Sequence, residues 1–298
     1  MERPWLHRYT ILLSVCTLFL IVAGATVTSK QAGLSVPDWP LSYGKLMPPM
    51  VGGVFFEHGH RMIGTLVGML TIGLLIWLLA TEKRTWMRKL GWVALGWVIF
   101  VGLLGGLTVK MLTPPPVSIF HTCMAQLFFS LTVSIAVFTS KSWYEGPAII
   151  EDQGTPSLRT LAILTPVAVL IQIALGAGFR QRAIGVMPHL LGAMVVMLVI
   201  LFTAVCVLQQ CPEHRILRLA AKTLLGVTGL QVALGLSAFT ALMRSVPRET
   251  EILISTVAHV ATGALTLATS IALAIQVRRN VRARAPEAAD STEAAVTP

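Results

Sequence analysis

Eight stretches of this chain are each apolar for about the 20 residues that a helix needs to cross a bilayer core. They fall at roughly 9–27, 58–80, 90–109, 117–139, 160–179, 187–208, 220–242 and 252–276. In lipid every backbone N–H and C=O must be satisfied within its own segment, so stretches of this length read as helices. Composition agrees: hydrophobic residues make up 55% of the 298 and charged residues 12%, against about 25% charged in a soluble domain. The fold class expected is all-α integral membrane. A secreted disulfide scaffold, a disordered regulator and a cytosolic enzyme are excluded. The net charge of +10 therefore reads as membrane topology, with no nucleic-acid partner.

The basic residues set the orientation. With the N-terminus in the cytoplasm, the cytoplasmic segments hold 15 of the 23 Lys and Arg and the outer side holds eight: Lys30, Lys45, Arg61, Lys110, Arg180, Arg182, Arg244 and Arg248. Both termini are thus expected inside. The first span follows Arg3 and Arg8 and ends Ala23-Gly24-Ala25, like a signal peptide. Its apolar run is long for one, and the same small-residue pattern recurs in the fifth span, so it reads as an anchor. None of the four cysteines, Cys16, Cys123, Cys206 and Cys211, falls in an outer loop, so no exported disulfide is expected. The segment 283–298 is Ala, Glu, Thr and Pro without periodicity and reads as a disordered cytoplasmic tail.

The chain reads as a duplication, four spans plus four. The first span carries Gly24 with Gly33 nine residues later, and the fifth carries Gly176 with Gly185 nine residues later. Pro37 and Pro188 follow. Leu104-Gly105-Gly106-Leu107-Thr108 in the third span matches Leu234-Gly235-Leu236-Ser237 in the seventh. Two tandem pseudo-symmetric four-helix bundles result, an N-terminal half over 1–145 and a C-terminal half over 146–282.

Of the seven histidines, His7 and His214 fall in cytoplasmic segments and read as solvated, and His58 lies on the helix face opposite His60. The other four, His60, His121, His189 and His259, each lie in the opening turns of an even-numbered span. All four therefore sit at one depth near the outer face, a pair in each half. An ionisable side chain within a span is costly and marks function. Two histidines on facing helices of a four-helix bundle suit the two axial positions of a haem iron. Zinc wants three or four protein ligands, and no Cys or Asp cluster accompanies either pair. Haem propionates pointing outward would meet Arg61, Arg180, Arg182, Arg244 or Arg248. The halves differ at one place. Glu57 shares a helix face with His60 at i, i+3, whereas the matching position before His189 is Val186. That carboxylate is a candidate general base or cation stabiliser; it is also suited to pairing with Arg61, or to complementing the positive end of the helix dipole.

Several segments together resemble the haem A synthase family. They are Gly33-Leu34-Ser35-Val36-Pro37-Asp38-Trp39-Pro40-Leu41, Glu57-His58-Gly59-His60-Arg61-Met62-Ile63-Gly64, His121, Pro188-His189-Leu190-Leu191-Gly192-Ala193 and His259-Val260-Ala261-Thr262-Gly263-Ala264. The resemblance implies oxidation of the methyl at ring position 8 of haem O to the formyl of haem A. It implies that His60 and His121 hold the substrate haem, that His189 and His259 hold a haem b relaying electrons, and that Glu57 is catalytic. It further implies a bacterial cytoplasmic membrane, with haem O synthase (protohaem farnesyltransferase) and cytochrome oxidase assembly factors as partners; a homo-oligomer is compatible with it. Many relatives carry two cysteines flanking Asp-Trp-Pro, and the corresponding positions here are Val36 and Ser42. A non-catalytic di-haem b cytochrome explains the four histidines but not the lone Glu57. A transporter or haem chaperone has only the repeat in its favour. A haem prenyltransferase lacks its Asp-rich diphosphate motif.

Overall fold

The computed structural model describes residues 3–152, 154–244 and 248–283. The protein is an all-α membrane protein with eight helices long and apolar enough to span a bilayer. In chain order these are α1 (Pro4–Ser29), α2 (Gly53–Thr81), α3 (Thr85–Lys110) and α4 (Pro115–Thr139), then a short α5 (Lys141–Tyr144), then α6 (Leu158–Arg180), α7 (Val186–Gln210), α8 (Arg215–Leu242) and α9 (Glu249–Asn280). Each expected span is present. The helices run past the apolar stretches because polar residues continue them into the interface. At about 1.5 Å per residue, the 32 residues of α9 outreach a hydrocarbon core of about 30 Å.

Local chemistry sets the ends. Pro4 and Pro115 begin α1 and α4, where a missing N–H costs nothing. The Ser157 hydroxyl caps α6 by accepting from the N–H groups of Arg159 and Thr160. His214 caps α8: its Nδ1 accepts from the Leu217 N–H, and its Nε2 lies 3.1 Å from the Ala148 carbonyl. His214 is buried and His7 is half-buried against Thr139. Both correct the expectation of solvated side chains: His7 lies within α1 and faces Thr139 of α4, and His214 meets the segment that follows α5. Two short strands, β1 (Ile150–Asp152) and β2 (Val281–Ala283), pair in parallel with Ile150 opposite Val281. Ala283 thus belongs to a strand rather than to the tail, and residues 284–298 lie outside the described residues.

The helices close into two rings. Neighbours around the first are α1, α2, α3 and α4, and around the second α6, α7, α8 and α9. Each ring has its own apolar core, Leu13, Leu74, Met87 and Phe128 in one and Leu158, Ile200, Leu224 and Leu267 in the other. A third cluster of Ile21, Phe129, Ala264 and Ala268 joins them where α1 and α4 meet α9. Polarity is arranged for lipid. Phe19, Ile76 and Leu198 face outward, while Thr10, Thr71, Thr165 and Thr203 are buried. The buried hydroxyls bond across helices, Thr165 to Thr203 at 2.9 Å and Thr10 to Thr139 at 3.1 Å. Packing and hydrogen bonds of this kind hold helices together where lipid removes the hydrophobic drive.

Candidate functional site

Each of the four histidines leans on a glycine of the preceding long helix. His60 of α2 lies on Gly24 of α1, His121 of α4 on Gly105 of α3, His189 of α7 on Gly176 of α6, and His259 of α9 on Gly235 of α8. A methyl group at those glycines would stand 2.9, 3.3, 2.9 and 2.8 Å from the respective imidazole Cε1. A residue without Cβ lets the Cε1 edge of each ring come this close to the neighbouring backbone. The sequence shows these glycines as a repeat of small residues; their partnership with the histidines needs the helix register.

In the second pair the two rings are spaced as two imidazoles on one metal ion would be. The rings of His189 and His259 stand 6.2 Å apart between centroids, with planes at 89°. Imidazole–metal bonds are about 2.0–2.1 Å, and a ring centre lies about 1.1 Å behind its nitrogen. Two imidazoles sharing one metal ion therefore have centroids about 6 Å apart. Among the described residues no group of three or more His, Cys, Asp or Glu side chains could enclose a metal ion. Two imidazoles thus fit a metal whose remaining ligands come from elsewhere, as in a porphyrin. His60 and His121 are seated equivalently on α2 and α4, across the first ring from one another, and their Nδ1 atoms are buried without a hydrogen-bond partner.

Glu57 is 3% exposed and tied at both oxygens. Its Oε2 accepts the Val36 N–H at 2.8 Å and its Oε1 accepts from Arg61 Nη2 at 2.6 Å. Arg61 also donates to the carbonyls of Asp38 at 2.8 Å, Leu41 at 2.9 Å and Val36 at 3.2 Å. His58, 6% exposed, pairs its Nδ1 with the Ser42 hydroxyl at 2.8 Å. The sequence offered no role for His58; its helix face places it against the loop. The Asp38 carboxylate accepts the N–H groups of Gly44 and Tyr43, which hold it below the usual carboxylate range. The Trp39 indole packs on Gly106 of α3, next to the glycine that seats His121. The Val36–Ser42 segment therefore stretches from the His60 turn to the His121 seat. In the second ring the equivalent link is only Gln181–Gly185, and Val186 stands at the Glu57 position.

The expected outer cations are mostly engaged by protein groups. Arg61 holds Glu57 and the loop. Arg180 Nη2 donates to the Ala25 carbonyl and, at 2.6 Å, to the Ser29 hydroxyl at the end of α1. Arg244 and Arg248 both pair with Glu251, at 2.6 and 2.8 Å. Arg182 is exposed at the turn before α7.

Comparisons with known proteins agree with this arrangement. A family model described as "Cytochrome oxidase assembly protein" (COX15-CtaA) matches residues 7–53 and 51–187. The chain is 27% identical over 169 residues to a "Heme A synthase" of Symbiobacterium thermophilum, covering 55% of each. It is 28% identical over 194 residues to one of Shewanella oneidensis, covering 59% of this chain and 56% of that one. Against one of Alkalihalophilus pseudofirmus it is 34% identical over 106 residues, about a third of each. The chain spans about half the length of the relatives it matches first. The family match takes in Glu57, His60 and His121 and stops just short of His189. Covering well over half of the residues, it shows that this chain belongs to the COX15-CtaA family of cytochrome oxidase assembly proteins.

Proposed function

We propose that this protein is a haem A synthase, which oxidises the position-8 methyl of haem O through a hydroxymethyl stage to the formyl of haem A. One observation carries the reading: four histidines are seated alike in two rings, and one ring alone adds a buried, fixed carboxylate. His60 and His121 hold the substrate, and His189 and His259 hold a resident haem b. The positive-inside bias of the loops puts both termini in the cytoplasm of a bacterial membrane and both histidine pairs beneath its outer surface. When bound, the haem irons supply the redox chemistry. The chain supplies position and electrostatics. The glycine seats aim the imidazoles. The tethered Val36–Ser42 segment limits water at the first pair. Glu57 presents a negative charge that stabilises positive charge developing at the methyl carbon. A haem O synthase and cytochrome oxidase assembly factors are the partners this chemistry calls for.

The hydrogen bond from Val36 to Glu57 favours a second role for that carboxylate, as anchor of the loop. Two variants separate the roles. Glu57→Gln keeps an acceptor for Val36 but loses the charge, and Glu57→Ala loses both. The full-length protein is co-expressed with a haem O source and its haems are extracted. The wild type is expected to yield haem A with its hydroxylated precursor, and Glu57→Gln to bind haem but lose conversion by at least the 100-fold typical of a removed charge-stabilising group (about 10²–10³). Full conversion by Glu57→Gln leaves only the anchoring role. Haem b alone from the wild type overturns the synthase in favour of a di-haem cytochrome.

A further inference from the structure

On one side of the seam between the rings the packing stays open. A groove of about 330 Å³ lies where α4 of the first ring meets α6 and α9 of the second. It is lined by Leu127 of α4, by Ile163, Pro166 and Leu170 of α6, and by Ile271 and Arg278 of α9. Its deep end is at Leu127, Leu170 and Leu267, each 12 or 13 residues from the helix end that the orientation above puts in the cytoplasm. Its shallow end is at Arg278. From Arg278 to Leu267 α9 rises about 16 Å, close to one leaflet of a hydrocarbon core about 30 Å thick.

The duplication supplies a comparison. In the register that aligns Gly24 with Gly176 and His121 with His259, the counterpart of this groove lies where α1 meets α4 and α9. There Leu18 stands for Leu170, Phe129 for Leu267, Val133 for Ile271 and Leu265 for Leu127. All four belong to the apolar cluster that joins the rings, and Phe129 is 2% exposed. Ser14 stands for Pro166 and Ser140 for Arg278. One side of the seam is thus packed and ends in a serine; the other is open and ends in an arginine. Arg278 and its neighbour are used differently. Arg279 donates to the Trp143 carbonyl and stacks over the Trp143 ring at 4.0 Å. Tryptophan at the end of a span sits at headgroup level, which sets the depth of Arg278 as well. Arg278 itself is exposed at the groove. Arg159, half-buried, precedes Ile163 by one turn on the same face of α6.

We propose that the groove binds one anionic glycerophospholipid of the cytoplasmic leaflet, with an acyl chain along Leu127, Leu170 and Ile271 and the phosphodiester at Arg278 and Arg159. The lining is apolar over the depth that one chain reaches, and its charged residue is a cation at the level of the phosphate. A guanidinium binds a phosphate through charge-assisted hydrogen bonds. A zwitterionic headgroup brings its own cation toward the arginines and loses part of that attraction. The bound chain fills the seam between α4 and α6, as Phe129 fills it between α1 and α9. The site is independent of what the histidine pairs hold.

Native mass spectrometry tests it on the full-length protein in nonionic detergent, titrated with phosphatidylglycerol or phosphatidylcholine of identical chains. The wild type is expected to bind one phosphatidylglycerol, and more tightly than phosphatidylcholine. Arg278→Gln and Arg159→Gln are each expected to weaken phosphatidylglycerol about fivefold, the worth of one basic side chain at an anionic surface, and to leave phosphatidylcholine unchanged. Arg88→Gln removes the same charge from the exposed start of α3, which has no part in the groove, and is expected to change neither. Ala274→Phe puts an aromatic ring into the lining and is expected to weaken both lipids; should it fail to fold, the arginine variants decide alone. Equal affinity of the wild type for the two lipids overturns the proposal. So does an equal loss in Arg88→Gln and Arg278→Gln, which reduces the attraction to general surface charge, and so does wild-type binding by folded Ala274→Phe. An isoprenoid quinone found in place of phospholipid in the protein as purified overturns it as well.

Discussion

At the scale of the residue, the site is decided by contacts of a single atom's width. Gly176 and Gly235 stand so close to His189 and His259 that a methyl group has no room without moving the ring. An imidazole shifted by a few tenths of an ångström loses alignment with its partner 6.2 Å away. Gly176→Ala is therefore expected to cut haem b affinity about 10–100-fold, as for other changes that misdirect a ligating histidine. Gly68, where a methyl would meet nothing within 4 Å, is the control, and Gly68→Ala is expected to leave binding unchanged. Haem titration followed by absorbance reads both.

At the scale of the element, the turns carry the charges that the helices exclude. Glu82 and Arg84 clasp the α2–α3 connection through paired bonds of 2.9 and 3.1 Å, and Arg84 reaches on to the Phe138 carbonyl and the Tyr144 hydroxyl. Burial raises the affinity of the Glu82 carboxyl for its proton. The bonds from Arg84, with its charge, outweigh that and bring the pKa from 4.5 down to about 2. A folded pKa below the unfolded one means stability that is present in full above pH 4.5 and lost as pH falls through about 2. The stability gap between wild type and Glu82→Gln, measured by unfolding in detergent, is expected to be constant from pH 7 to about 5 and to close toward pH 2. A gap that widens on acidification contradicts the clasp.

At the scale of the whole molecule, the two rings are held by the shared cluster around Ile21, Phe129 and Ala264 and by Arg180, which crosses from α6 to the last turn of α1. The C-terminal end of a helix carries partial negative charge and favours a cation. Here the cation comes from the other ring. Arg180→Met keeps the bulk and drops the bonds to the Ala25 carbonyl and the Ser29 hydroxyl. A hydrogen bond from a charged donor contributes about 1.5–3 kcal/mol, so unfolding in detergent is expected to show a loss of that order. A change within experimental error means that apolar packing alone joins the rings.

The sequence by itself determined the eight spans, and it pointed to a duplication and to a common depth for His60, His121, His189 and His259. Each follows from local rules: apolar length sets a span, and position within it sets depth. It also marked Glu57 as peculiar to one half. What only the tertiary structure decided is who touches whom: that Gly24, Gly105, Gly176 and Gly235 seat the four rings, that His58 and Arg61 tether the outer loop, and that Arg180 serves α1. These partners lie tens of residues apart in the chain. Apolar side chains serve equally well toward lipid and toward a neighbouring helix, so the sequence does not name the partner of each face; only packing does.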